Sequence, residues 1–551
     1  QADRGSDTLL LKNTSQPRLG FRVNKIYIDS YYMDPQTQKY PEANRELMKQ
    51  FNEGMLVFNY IGHNDPEVGF TGEGLFSRYE MDHLTNTRLP LFITITCDYC
   101  QFDAEDVSAG ENVFLNPSAG AIALITTTRV VYTDGNDKIN RRLMKRLLER
   151  DSNGSPLRIG DVLKLAKRDF NTEIDKNKLN YVLIGDPALK LAYPEHSIQV
   201  TRINGNSGKK NIEMIPGKNY TVEGEIRSHQ NELLSDFNGY IYYNLYDKEK
   251  QFTTLAHQDK KTWTYTHRPD LLTTGKGTIQ NGTFRITVTL PIDNSHSGKS
   301  GLLNLYAYDE SGREANGYTD KLIVSTAVEP ITEDIQGPDI EFAGINDDSF
   351  TEGILVNNPA TFVCKFSDPS GIWSGNSLGK QMTLSLDGAC IEENVARYYK
   401  PIAESEIPEG EFIYPLPRLS NGLHTLTFKV FDTLGNSSEV TIAFEVKENS
   451  ETYTISLEEE PATERATISC QDQNGNDVTE SKHTRISVTN TLGEEIWSYE
   501  TTENNPFPLT WNLQDNNGKR VSAGQYYCKG YFETSAGTIV TPAKKIVVIT
   551  Q

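Results

Sequence analysis

MLVFNYIGHND (55–65) and LPLFITITCDYCQFD (89–103) decide how this chain is read. Each begins as a short apolar run and breaks on a reactive side chain. MLVFNYI runs into Gly62 and His63, and LPLFITIT runs into Cys97. A continuous apolar run of this length is the pattern of a buried parallel strand. In α/β sheets the chemistry gathers just past the carboxyl ends of such strands. An imidazole and a thiol are therefore expected at neighbouring strand tips. They stand 34 positions apart, room for one strand–crossover–strand unit. A cysteine nucleophile needs a base beside it in space, and this layout supplies one. Free cysteine is usually a small buried hydrophobe. The pairing with His63 is what singles out Cys97. Cys100 is the rival thiol and reads as a bystander, a structural thiol or a resolving one.

Around this pair, residues 1–195 alternate strand and helix patterns. RVNKIYID (22–29) predicts a strand. PEANRELMKQFNEG (41–54) predicts a helix, with proline early, Leu47, Met48 and Phe51 on one face and glycine at the stop. The apolar run 119–128 predicts a further strand. Ile139, Leu143, Met144, Leu147 and Leu148 recur at helical spacing in 136–150. Another helix is expected over 159–170, and YVLI (181–184) closes the series. Strands alternating with helices imply a parallel or mostly parallel sheet.

Beyond residue 195 helical periodicity stops. Short alternating strands separated by Gly, Asn and Asp turns take over, the signature of β-sandwiches. One Ig-like sandwich is expected over 196–328, with YTVEGEIRS (220–228), GYIYYNLYD (239–247), GTFRITVTLP (282–291) and GLLNLYAYDE (301–310) as strands. A second spans 329–449 and opens on the acidic linker EPITEDIQGPD (329–339). Its strands include ATFVCKFSD (360–368) and HTLTFKVFDTLGN (424–436). A third spans 450–551. Spacer or adhesive roles stay open for all three, because fold does not decide function.

The 551 residues suggest three to five domains, and 37% hydrophobic content can fill several cores. A net charge of −21 argues against a nucleic-acid partner, which would want a basic face. No run reaches the roughly 18 apolar residues of a membrane helix. The chain opens at Gln1 in polar text, which reads as a mature or trimmed product. Of six cysteines, Cys364 and Cys390 fall in one β-rich segment and Cys470 and Cys528 in another. Each pair is either one disulfide, as in secreted proteins, or two buried thiols. No zinc spacing is present, so neither metal nor cofactor is expected.

In the chemistry this pattern implies, Cys97 attacks a carbonyl. His63 takes the thiol proton and later returns one to the leaving amine. The resulting oxyanion needs backbone N–H donors. The N–H groups of Asn64 and Cys97 are the candidates, with Gly62 permitting a tight backbone after the strand.

IGH at one strand end and LPLFITITCD at the next resemble the gingipain-type, caspase-like cysteine peptidases. SAGENVFLNPSAGAIALITTTRVVY (108–132) and LIGDPALKLAYP (183–194) are similar to the C-terminal signal peptidases, or sortases, of the type IX secretion system. The resemblance covers 24–195 and continues more loosely to the C-terminus. WNLQDNNGKRVSAGQYYCKGYF (511–532) resembles the Ig-like sorting domain of type IX cargo.

The resemblance implies a caspase-like α/β catalytic domain over 1–195 followed by all-β Ig-like domains. Family catalytic domains are two α/β halves in tandem, and only the second fits here. An upstream portion is expected to have been cleaved off, supplied as a second chain, or left out of this sequence. Many members have glycine after the histidine where this chain has Asn64, which also tolerates a left-handed backbone. The family places a carboxylate upstream to orient the histidine. ADRGSD (2–7) makes Asp3 the candidate and Asp29 a weaker one. Asp65 and Asp186 read as turn residues. Ser108, Glu111 and Arg129 are cleft candidates, with structural hydrogen bonding equally open.

The implied activity is that of a cysteine endopeptidase and transpeptidase. It would remove the sorting domain of secreted cargo through a thioester on Cys97. It would then transfer the cargo to a surface glycolipid amine, such as one on anionic lipopolysaccharide, or to water. The implied place is the outer face of the outer membrane, docked on a β-barrel protein through residues 450–551. The alternatives are a secreted gingipain-like endopeptidase that degrades host proteins, and an inactive surface adhesin or scaffold.

Overall fold

A computed structural model of the chain describes residues 20–549, apart from 38, 65–68, 71–74, 153, 170–175, 258–260, 293–297, 326–333, 347–354, 357, 376, 378, 393, 403–406, 447–452, 459–460, 473–475, 477, 479–480, 492, 503–505 and 535–536. The chain divides into two compact units, Gln1–Ile331 and Thr332–Gln551.

The first unit opens on a four-stranded sheet. Its strands lie in the order Val57–Ile61, Leu91–Ile95, Ala123–Thr127, Tyr181–Ile184. The first three are parallel and the last is antiparallel. The two central strands are buried at every position, as their unbroken apolar sequences require. Alternate side chains divide between two cores. Leu91, Ile93, Ile95 and Ile125 pack under the helices Thr133–Leu147 and Ile159–Arg168. Phe92 and Leu124 pack on the other face, with Leu47 and Phe51 of the helix Pro41–Glu53. The sheet is thus the middle layer of three.

Each helix follows its sequence. Ile159, Val162, Leu163 and Ala166 form one buried stripe at helical spacing. Pro41 opens its helix, and Gly54 ends it at φ +88°, a conformation that favours glycine.

The expected strand at 22–29 does not form. This segment is extended until Ile28–Ser30, which make one 3-10 turn. Several of its bonds reach the first β domain. The Asp29 carbonyl accepts the Leu255 N–H at 2.7 Å. The Asp29 carboxylate accepts the N–H groups of Ala256 and His257 at 3.0 and 2.7 Å. Arg22 donates to the Tyr246 hydroxyl at 3.0 Å, and Tyr27 meets Tyr265 edge-on.

The first β domain has two four-stranded faces. One comprises Thr283–Thr289, Asn219–Arg227, His196–Ile203 and Asn206–Ser207. The other comprises Leu271–Gln280, Gly239–Tyr246, Leu302–Asp309 and Glu314–Thr319. Short pairings of 279–280 with 283–284 and of 196–197 with 315–316 join the faces at both edges. One core fills the interior.

In the second unit, Asp339–Ile345, Thr361–Ser367, Glu409–Pro415 and Tyr399–Ile402 face a five-stranded sheet built on Gly422–Phe431 and Ser437–Val446. The last domain packs a three-stranded sheet on a five-stranded one. Trp511 lies in its core, with its indole N–H on the Gln514 carbonyl at 2.8 Å. All six cysteines are free thiols. The bridge considered between Cys364 and Cys390 is absent, with Cys364 buried and Cys390 exposed. Cys470 and Cys528 also remain unbridged, both buried in the last core.

Candidate active site

The strands Val57–Ile61 and Leu91–Ile95 pair in parallel, with Ile61 opposite Ile95. Counting onward from that pair, Gly62 and His63 leave the sheet beside Thr96 and Cys97. This register brings the histidine turn to the cysteine turn. A hydrogen bond joins the two turns directly, from Asn64 Nδ2 to the Cys97 carbonyl at 3.1 Å.

Threonines stiffen the floor beneath. Thr94 Oγ1 donates to Thr126 Oγ1 at 2.7 Å, and Thr127 Oγ1 donates to the Thr96 carbonyl at 2.5 Å. The Thr127 carbonyl takes the Cys100 N–H at 3.0 Å. Cys97 Sγ is half-buried and held by one residue of the next strand end. The Val131 N–H donates to the sulfur at 3.5 Å, and the Val131 carbonyl lies 3.5 Å away. The segment carrying Val131 is pinned in turn. Asn177 bonds both backbone groups of Tyr132, and Asn180 donates to the Val130 carbonyl. Val130 and Tyr132 keep their side chains exposed beside the thiol's holder. Immediately after Cys97, Asp98 adopts φ +47°. Burial raises its carboxyl above the usual range, and the charge of Arg129 opposes that rise.

On the histidine side, the Tyr60 hydroxyl donates to the His63 carbonyl at 2.7 Å. Gly62 is needed for that bond, because a Cβ there would lie 2.3 Å from the same hydroxyl.

Cys100 is a different kind of thiol. It is fully buried, and burial pushes its pKa up to about 11, so it stays protonated at neutral pH. A thiol without access or thiolate is a poor nucleophile. This matches the bystander reading.

The other candidates have other partners. Ser108 and Glu111 form the capping box of the short helix Ala109–Phe114, with Ser108 Oγ on Glu111 Oε2 at 2.6 Å. Glu111 also lines an open cavity with Asp82, Leu84, Val107 and Leu115. Arg129 makes a two-pronged bond to Asp103, at 2.6 and 3.0 Å. Asp29 serves the 255–257 turn described above, not His63. Asp186 Oδ1 accepts the Ala188 N–H at 2.8 Å, a turn as expected. Asp3 and Asp65 lie outside the described residues.

Sequence reasoning missed Tyr60, Val131 and the Asn64 side chain. Tyr60 left a faint trace in its spacing from Gly62, whereas nothing local marks Val131.

Among the described residues, one group of acids is close enough to share a cation, and it lies in the second unit. One carboxylate oxygen each from Asp334, Asp368 and Asp432 fall within 4.8 Å of one another. Asp368 and Asp432 are buried. Burial, then the charges of Asp432 and Asp334, push the Asp368 pKa up to about 6. An unfolded aspartate titrates near 3.9. The protonated form is therefore favoured by folding. The stability it supports is complete below about 3.9 and is lost as pH rises through about 6. Lowering the pH from 7.5 to 5 should raise the melting temperature of the second unit, by about 4 °C or more. Asp368→Asn should flatten that dependence. A melting temperature that falls over this range, or an unchanged slope in Asp368→Asn, contradicts the assignment.

A strand-end thiol beside a turn that carries a histidine, on adjacent parallel strands, is an arrangement that suits thiol-based acyl chemistry. Residues 3–192 match the model of peptidase family C25. No curated protein matches the chain. Among solved structures it is similar to dimeric latent PorU from Porphyromonas gingivalis, at 24% identity over 79% of this chain with a TM-score of 0.33. It is also similar to the Arg-specific cysteine proteinase gingipain R, at 16% identity over 51% of this chain with a TM-score of 0.26. The N-terminal Ig1-2 module of the Drosophila receptor protein tyrosine phosphatase DLAR aligns over 38% of this chain and 98% of its own, at 11% identity and a TM-score of 0.22. This chain spans 41% of the latent PorU chain and 56% of the gingipain R chain.

Proposed function

We propose that the chain is a sortase-type cysteine endopeptidase that cuts the sorting domain from secreted cargo and transfers the cargo onward. The observation that carries this reading is the parallel register that brings the His63 turn to Cys97. The match of residues 3–192 to peptidase family C25 supports the peptidase class. The similarity of 108–132 and 183–194 to type IX sortases supports the narrower role.

In this reading His63 takes the Cys97 proton and Sγ attacks the scissile carbonyl. The oxyanion rests on backbone N–H groups at Cys97 and Asn64. The peptide C–N bond breaks, and His63 returns the proton to the departing amine. The cargo is then a thioester on Cys97. An amine attacks that thioester, a new C–N bond forms, and the thiol is released. Water in place of the amine gives a free acid.

The outer edge of Val57–Ile61 has no strand partner among the described residues. A preceding segment or second chain would complete the sheet there. No helix among the described residues is long and apolar enough to cross a membrane. Surface retention is assigned to residues 450–551, docking on an outer-membrane barrel.

The test uses a cargo protein ending in a sorting domain, incubated with the chain with and without a primary amine. Intact-mass spectrometry should show the cargo ending in an amide with the amine and in an acid without it. In cells, a chain lacking 450–551 should leave the surface fraction. Scattered cuts in unrelated unfolded proteins would favour the degradative peptidase instead. Absence of His63-dependent labelling of Cys97 by a thiol-reactive peptide would favour the scaffold.

A further inference from the structure

We infer that the Asn64 side chain is a positioning residue that locks the histidine turn to the nucleophile's own backbone. The inference rests on the Cys97–His63 reading above. Its evidence is the bond from Asn64 Nδ2 to the Cys97 carbonyl at 3.1 Å, which spans two turns 33 positions apart. A residue beyond the end of a strand has no ladder partner to fix it. Its two soft dihedrals must be set by something else. At Cys97 three bonds do this. Val131 holds the sulfur through both of its backbone groups. Asn64 holds the carbonyl, which sets the peptide plane leading into Asp98 and its left-handed φ of +47°. The same three bonds therefore aim Sγ and fix the peptide plane that leaves Cys97, while Thr127 on the Thr96 carbonyl fixes the plane that carries the Cys97 N–H.

The His63 side is framed to match. The Tyr60 hydroxyl fixes the His63 carbonyl from below, across Gly62. Asn64, the next residue, ties the turn sideways to Cys97. The imidazole thus leaves a backbone anchored at its own carbonyl and at the residue after it. The anchor after it is the nucleophile itself.

The remaining atom of the amide argues that Asn64 is not kept for stability. Asn64 Oδ1 is buried and accepts no hydrogen bond among the described residues. A side chain selected to hold a fold together pairs both ends, because buried polar atoms are costly to leave unmet. Here one end is unmet while the other reaches the reactive residue. Carboxamide chemistry also matters. The bond needs an N–H donor, so aspartate, of the same shape, cannot make it.

The experiment measures the second-order rate of Cys97 alkylation by iodoacetamide, from pH 5 to pH 9, in the full chain. No natural substrate is required. Asn64→Ala and Asn64→Asp should each slow alkylation at pH 7 by about tenfold or more, the penalty for a displaced reacting pair. Their pH profiles should move toward that of His63→Ala. Melting temperatures should stay within about 2 °C of the parent, within the range of surface changes. Tyr60→Phe, which keeps the ring and removes only the hydroxyl, should give a smaller fall in the same direction. It decides the matter if an Asn64 variant does not fold.

The parent's rate and pH profile in Asn64→Asp would overturn the inference, because shape without the donor would then suffice. A lower melting temperature with an unchanged profile would overturn it too, leaving a structural role only. A control separates these from a deeper failure. If His63→Ala leaves Cys97 alkylation unchanged in the otherwise native chain, the Cys97–His63 reading itself falls. If His63→Ala slows it and the Asn64 variants do not, only the positioning role is lost.

Discussion

Cys97→Ala should abolish cargo cleavage, by about 10³-fold or more, while Cys100→Ala leaves it within about twofold. The two thiols stand three residues apart, and their surroundings set them apart. Cys97 is half-buried at the end of Leu91–Ile95, beside the turn that carries His63. Its sulfur meets a backbone N–H, and the residue is only partly buried at the edge of the helix-side core. Cys100 lies sealed behind Gly110, where a Cβ would come within 2.6 Å of its own. Burial holds its proton on at neutral pH. Alanine at 100 removes one small buried sulfur, which costs stability and no chemistry. Mass spectrometry of a cargo digest reads both variants in one assay. Loss of cleavage in Cys100→Ala, with the protein still folded, would move the nucleophile and undo the mechanism.

Trp511→Ala should destabilise the last domain by about 3–5 kcal/mol, the usual range for an emptied aromatic core site. Trp511 is 1% exposed. Its ring lies edge-on to Tyr526 at 5.6 Å and near Trp497 at 6.3 Å, so it fills the space between the two sheets. Its indole N–H is bound to Gln514, so alanine also strands a carbonyl. Trp511→Phe keeps most of the volume and loses only that bond, and should cost about 1–2 kcal/mol. Hydrogen exchange over Gly524–Thr534, the central strand of the larger sheet, is the measurement. Exchange there should accelerate strongly in the alanine variant, while strands of the preceding sandwich stay protected. Equal protection in parent and variant would mean the ring is not the keystone of that core.

Much of the architecture was legible in the order of residues. Unbroken apolar runs at 91–95 and 123–127 announced buried strands because both faces of the sheet are covered, leaving no polar face to mark. Ile159, Val162, Leu163 and Ala166 announced a helix because one stripe is covered. The segment 22–29 misled for the opposite reason. Its apolar alternation suits a strand, but the surface it covers belongs to the next domain, with Tyr265 against Tyr27 and the 255–257 turn on Asp29. Local pattern records that a face is buried and not what buries it.

The same limit runs through the site. The sequence alone determined which side chains are candidates to react, because two apolar runs end on His63 and Cys97 and strand ends are where a sheet exposes its chemistry. It also singled out Gly62, which the Tyr60 hydroxyl then required. Only the tertiary structure decided how the pair is held. The register of Val57 against Leu91, the Asn64 bond to the Cys97 carbonyl and the Val131 backbone around the sulfur are contacts across tens of residues. It also turned Ser108 and Glu111 into a helix cap and Arg129 into a partner of Asp103. The physical reason is common to all of these. A residue's type shows whether it can react at all, whereas the burial that separates Cys97 from Cys100, and a hydrogen bond between two groups brought within about 3 Å, exist only in the folded chain.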